Sequence, residues 1–274
     1  MREPNFSESQ LQQATNTSYI RRLFENHGHW YFAHVPSLWA EFDLGWDSAF
    51  YLRWLEPPPN PRHAGCTFFI QYKISGQLTS SGAKEWLYWG EEYFRFKIPH
   101  STRDDNGDFI DDYHQWNRLK ALAKKNYPTF YATNSTLKKA TLEKAFRAGT
   151  LLNSVPVLDV RTIDKKHKHV TFTPTSHVFA LHSEVEYENK LSFADAIDSL
   201  AREEHSPFEE STNKLIETLK EVGDNSESWN LDLAQLERVR NLPSALRIWA
   251  KRSFLQSFVR KHVGASLFWL PKAG

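Results

Sequence analysis

Phe68-Phe69-Ile70-Gln71-Tyr72-Lys73 is an apolar run that closes on a polar pair spaced i, i+2. In a β-strand, side chains two apart share a face. Gln71 and Lys73 therefore emerge together from one side of a buried strand. Upstream, across the proline-rich loop Glu56-Pro57-Pro58-Pro59-Asn60-Pro61, stands Asp47 in Leu44-Gly45-Trp46-Asp47. An Asp at the head of a partner strand meets the pair at that end. A carboxylate, an amide oxygen and an ammonium converging on one spot are the groups that metal-assisted phosphodiester hydrolysis uses.

Working outward, Ala49-Phe50-Tyr51-Leu52-Arg53-Trp54-Leu55 reads as a strand, and Cys66 to Lys73 as the strand that returns after the loop. The spacing predicts an antiparallel pair. Residues 1–16 are polar and rich in Gln and Asn, which predicts a frayed arm. Thr17 or Ser18 then caps a helix through about His27, with Ile20, Leu23 and Phe24 at helical spacing and Gly28 as its stop. Downstream, Tyr93 to Ile98 alternates apolar and basic residues, a third strand with one solvated face. Phe109 to Asn126 reads as a helix with Trp116, Leu119, Leu122 and Ala123 on one stripe. Pro128 to Thr133 is a buried strand. Ser135 or Thr136 caps another helix through Arg147, with Gly149 as its C-terminal signal. Val155 to Ile163, Val170 to Thr173 and Val178 to Leu181 are further short strands.

This order predicts an α/β domain over residues 1–190, a mixed β-sheet flanked by helices. Residues 191–274 change texture to a helical C-terminal region: acidic helices over 193–222, a linker from Gly223 to Ser228, and a basic helical tail from Leu231 to about Val263.

The chain has 274 residues, 34 basic and 33 acidic, with a net charge of +1, so no global field points to nucleic acid or to a membrane surface. One cysteine, Cys66, excludes an internal disulfide framework and a Cys-rich zinc module. With no apolar leader and no run long enough to span a bilayer, the expectation is a soluble cytoplasmic protein with no membrane partner. Aromatics make up 14% of the chain, with 10 Trp, and read first as bulky core. A base-stacking surface is the sharper alternative, with Trp86, Trp89, Tyr93 and Phe94 as its candidates. His27-Gly28-His29 and His167-Lys168-His169 lack further ligands at a metal-site spacing and read as surface histidines. No Gly-x-Ser-x-Gly elbow and no phosphate-cradling Gly loop occurs.

An acid or Gln followed two residues later by Lys also occurs at Asp164-Lys165-Lys166 and Glu188-Asn189-Lys190. The first lies in a charged turn and the second follows a polar stretch. Gln71-Tyr72-Lys73 ends an apolar run and is preceded by Asp47. On these residues, over roughly 18–133, the chain resembles the PD-(D/E)xK nuclease superfamily, in the Gln-x-Lys branch of Mrr-like restriction endonucleases. The resemblance implies a restriction-endonuclease-like core and Mg²⁺ (or Mn²⁺) as cofactor. It makes Asp47 the central metal carboxylate, with Asp43 competing, and Gln71 the position that is usually acidic. Lys73 would polarise the attacking water or the scissile phosphate, and the backbone carbonyl of Tyr72 would be a further metal ligand. The leading-helix glutamate would be Glu25, or Glu41 if the helix runs later. Trp46 stands where the family has proline.

The resemblance thus implies hydrolysis of DNA phosphodiester bonds, in a role of defence against foreign DNA. Arg95 and Lys97, alternating out of the third strand, and His114 at the head of the following helix are candidates for contacts to DNA. A basic amphipathic tail carrying Arg247, Lys251, Arg252 and Arg260 packs on the domain or lies along phosphates. A homodimer and a regulatory protein complete the expected partners. The alternative is a nuclease fold without cleavage, acting as a nucleic-acid-binding, sensor or protein-interaction module. Gln in place of an acid and the near-neutral charge favour it.

Overall fold

The computed structural model describes residues 1–27, 32–34, 49–51, 62–103, 109–111, 113–223, 227–236, 239 and 244–272. The first helix, α1, runs from Glu8 to His27. It begins well before Thr17, because Leu11, Thr15, Tyr19 and Leu23 form a buried stripe at a spacing of four. The predicted frayed arm is therefore helical from Glu8 on. Its polar composition hid a stripe in which a threonine and a tyrosine take apolar positions.

The strands are, in chain order, β1 (Phe32–His34), β2 (Ala49–Tyr51), β3 (Ala64–Lys73), β4 (Gly76–Leu78), β5 (Tyr93–Lys97), β6 (Ser101–Arg103), β7 (Phe109–Asp111), β8 (Thr129–Thr133), β9 (Pro156–Asp159), β10 (His169–Phe172), β11 (Val178–His182), β12 (Glu186–Asn189), β13 (Leu191–Ser192), β14 (Ser206–Pro207) and β15 (Ser266–Pro271). The later helices longer than a single turn are α2 (His114–Lys124), α3 (Lys139–Arg147), α4 (Phe193–Leu200), α5 (Phe208–Val222), α6 (Glu227–Ala234) and α7 (Ser244–Val263). Phe109 opens a strand instead of a helix, since Phe109–Asp111 pairs with Ser101–Arg103 and α2 starts only at His114.

A mixed six-stranded sheet has the order β13-β9-β8-β3-β14, with β15 on the other edge of β3. The parallel pair is β3 and β8, whose ends coincide at Lys73 and Thr133. β15 runs antiparallel to β3 from Pro271 opposite Gly65 to Ser266 opposite Ile70. Among the described residues, the predicted pairing of the 49–55 strand with the 66–73 strand is not seen. β2 pairs with β1, and β15 from the far end of the chain takes the place beside β3. A strand buried on both faces and paired on both edges is selected by tertiary contacts, not by the nearest loop.

Both faces of β3 are covered, which explains its nearly unbroken apolar run. Phe68, Ile70 and Tyr72 pack against α1, α3 and α4 through Tyr19, Leu142, Phe193 and Ile197. Phe69 faces a second core with Trp116 and Leu119 of α2, Leu215 and Leu219 of α5, and Leu255 and Phe258 of α7. The inner face of an antiparallel five-stranded sheet, β12-β11-β10-β5-β4, joins that second core through Phe94, Phe96, Val170, Phe172 and Leu181. The C-terminal region thus contributes helices to this core and a strand to the central sheet.

Candidate active site

β3 and β8 end side by side, and the carboxyl ends of parallel strands are where open α/β sheets place ligands. Gln71 and Lys73 lie there on one face. Gln71 is 2% exposed. Its Nε2 donates to Oε1 of Gln115 on α2 at 3.1 Å, while its own Oε1 is buried with no hydrogen-bond partner. Gly264, between α7 and β15, closes over this amide. It holds φ +70°, and a Cβ there would sit 2.9 Å from Gln71 Nε2 and 3.3 Å from Gln115. The site needs glycine at 264 for both conformation and space.

Lys73 is half-buried. Burial pushes its ammonium below the ordinary lysine range, and the charge of Glu8 opposes that shift. Glu8, in the first turn of α1, has its carboxyl pushed up by burial, against the lowering effects of Lys73 and of the Ile74 backbone N–H that it accepts. The two groups feel each other without a direct ion pair. Beyond Lys73 the chain is pinned. The Ser75 backbone N–H donates to Asn134 Oδ1 at 2.8 Å, and Asn134 Nδ2 donates to the Ser75 carbonyl at 2.9 Å.

Tyr72 points to the other face, where its hydroxyl donates to Asn16 Oδ1 at 2.6 Å. Phe69 N–H donates to Pro128 O at 2.9 Å, so odd residues of β3 direct their backbone to β8. Tyr72 directs its carbonyl to the opposite edge, past the last β15 pairing at Ile70 and Ser266.

Of the other candidates, Asp47, Asp43 and Glu41 lie outside the described residues. Glu25 pairs with Arg21 at 2.8 Å on the exposed side of α1. It stands about 25 Å along the helix from Glu8 at 1.5 Å per residue, so it is not brought to Lys73. His114 opens α2 beside Gln115. Arg95 pairs in register with Gly76, three residues past Lys73, and its Nη1 lies 3.5 Å from Glu85. Lys97 is exposed and pairs with His169.

The flanking histidines are not plain surface residues. The His167 side chain is wholly buried with Nε2 3.1 Å from Glu186, and His169 Nε2 lies 2.8 Å from Glu85. Tyr93 and Phe94 are core, Trp89 donates its indole N–H to Thr171 Oγ1 at 2.9 Å, and the exposed members of that turn are Leu87 and Tyr88.

Glu8 and Gly264 are the neighbours the sequence reading missed, while Gln115 stands beside His114 at the helix head that the sequence placed just beyond the site. Gly264 carried a signal, a glycine directly after a basic helix end. Glu8 was hidden in a segment predicted to fray. No family model, no curated protein and no solved structure matches the chain.

Proposed function

We propose that the chain is a divalent-metal-dependent nuclease of the restriction-endonuclease-like kind, hydrolysing DNA phosphodiesters at the end of β3. One observation carries the reading: a buried amide oxygen, Gln71 Oε1, with no partner, two residues from a desolvated lysine. Leaving a buried acceptor unpaired costs about 1–3 kcal/mol, and perturbed ionisable groups in such a setting cluster at functional sites.

The donor set suits a hard cation. Gln71 Oε1 and the Tyr72 carbonyl are oxygens, as Mg²⁺ or Mn²⁺ prefers, and Asp47 is the carboxylate proposed to complete them, while Glu8 acts on the site through the charge of Lys73. When bound, such an ion supplies Lewis acidity and neutralises charge on the phosphate. Gln115 holds the Gln71 amide in orientation. Lys73 presents an ammonium to phosphate oxygens, and its lowered pKa lets it give up a proton more readily than an ordinary lysine. Asn134 fixes the turn that follows. A cytoplasmic setting belongs to the same proposal, from the single cysteine. Among the described residues no helix is long and apolar enough to cross a membrane.

Purified protein incubated with DNA and Mg²⁺ or Mn²⁺ tests the proposal. Cleavage that EDTA stops, that Lys73→Ala abolishes and that Glu8→Gln weakens supports it. The absence of metal-dependent cleavage from a folded protein overturns it. Salt-sensitive DNA binding without cutting selects the second reading, a nuclease fold used for binding, which the uncharged Gln71 favours.

A further inference from the structure

On one edge of β3, pairing with β14 ends at Gly65 and pairing with β8 begins at Phe69. A cavity of about 350 Å³ opens beside that break, lined among others by Cys66, Thr67, Tyr127, Ser211 and Lys214. It lies toward the opposite end of β3 from the candidate active site, with Thr67 about 20 Å along the strand from Lys73.

Behind Thr67 stands Arg252 of α7, 3% exposed. Its guanidinium donates from Nη1 to Thr67 Oγ1 at 3.1 Å and from Nη2 to the Phe268 carbonyl at 2.8 Å. It also lies 5.6 Å from the Phe208 ring centre. A guanidinium has five N–H donors, so most of them are unspent. Among the described residues no carboxylate pairs with it, and burial pushes it down to about 9. An unpaired buried charge is among the costliest features a fold can keep.

Two hydroxyls lie beside it and bond to each other. Thr67 Oγ1 accepts from Arg252 and lies 2.7 Å from Ser211 Oγ, and either hydroxyl can be the donor of that bond. Whichever donates, the other hydroxyl proton has no protein acceptor among the described residues, and both residues line the cavity. Two other cations of the lining are accounted for. Arg161 is taken up by Glu203 at 2.7 Å and Asp159 at 2.8 Å, and Lys125 by Glu221 at 2.5 Å. Lys214 and Glu204 also line the cavity, neither in an ion pair among the described residues. With Arg252 behind the wall, two cations and one carboxylate are left unpaired, so one positive charge remains over.

We propose that this cavity binds a small oxyanion, a carboxylate or a phosphate, which accepts from the Ser211–Thr67 hydroxyl pair and from Lys214 Nζ and offsets the buried charge of Arg252. The site is independent of the nuclease reading. The anion is the counterion the fold itself does not supply.

The test uses the full chain. Sodium phosphate and sodium acetate are titrated separately against sodium chloride at equal ionic strength, read by thermal unfolding midpoint and by calorimetry. A saturable rise in midpoint with either oxyanion, absent with chloride, is the expected result, and which of the two acts names the class. Ser211→Ala and Lys214→Met should each weaken binding about tenfold, as for hydrogen bonds to a charged group. Arg252→Met should abolish it. If that variant does not fold, the other two still decide. Equal effects of all three salts overturn the proposal, as does an oxyanion effect that survives Ser211→Ala and Lys214→Met unchanged, which marks an adventitious ion only.

Discussion

Gly264 sits against Gln71 so closely that a methyl group at 264 would lie 2.9 Å from the Gln71 amide nitrogen. The turn between α7 and β15 is thereby part of the candidate site's wall. Gly264→Ala adds the strain of a positive φ to this clash. A loss of about 1–3 kcal/mol in urea unfolding is expected, together with loss of metal-dependent cleavage. A variant of unchanged stability would show that the turn is looser than its packing implies.

Lys73 should behave as a residue kept for function at the expense of stability. Its ammonium is desolvated and has no direct ion pair, so Lys73→Met removes a charge the fold disfavours. The expected outcome is a thermal midpoint unchanged or raised, within about 1 kcal/mol, while cleavage is lost. A strongly destabilised Lys73→Met would assign the lysine a structural role.

His182 makes stability depend on pH. It is 8% exposed, stacked 4.9 Å from His169, and burial holds it down to about 4 from an ordinary 6.5. Between those values the unfolded chain carries a proton that the native imidazole refuses, so stability is full above pH 6.5 and falls as the pH drops toward 4. The loss from this one group is about 3 kcal/mol. Urea unfolding from pH 7.5 down to 4 measures it, and His182→Gln should flatten that part of the profile.

β15 is expected to be indispensable. It covers β3 from Gly65 to Ile70 and buries Leu267, Phe268, Trp269 and Leu270. Phe268 stacks on Phe68 at 5.2 Å between ring centres. Truncation after Ala265 should leave a chain without cooperative unfolding by circular dichroism, and Phe268→Ala alone should cost about 3–5 kcal/mol.

The Tyr72 hydroxyl ties β3 to α1 through Asn16. Tyr72→Phe removes the donor and strands a buried acceptor, an expected loss of about 1–2 kcal/mol in chemical unfolding. Asn16→Ala should cost at least as much, since it strands the phenol in a dry core instead.

Local pattern was enough for much of this molecule. The run from Phe68 to Lys73, the alternation of Tyr93 to Lys97 and the stripe Trp116, Leu119, Leu122 each carry a period of two or near 3.6, and each forms the predicted element. That period also puts Gln71 and Lys73 on one face, because side-chain direction along a strand follows from covalent geometry alone. What covers each face and edge is another matter. β15 reaches β3 from some 200 residues away, and Glu8 reaches Lys73 from a segment too polar to read as helix. Gln115 and Gly264 close on Gln71 from two different helix ends. Partners so distant in the chain leave no local period, and the buried area that selects them exists only once the two cores have formed. The composition determined an α/β domain with a strand that ends in Gln-x-Lys; tertiary packing alone decided which oxygens and cations surround it.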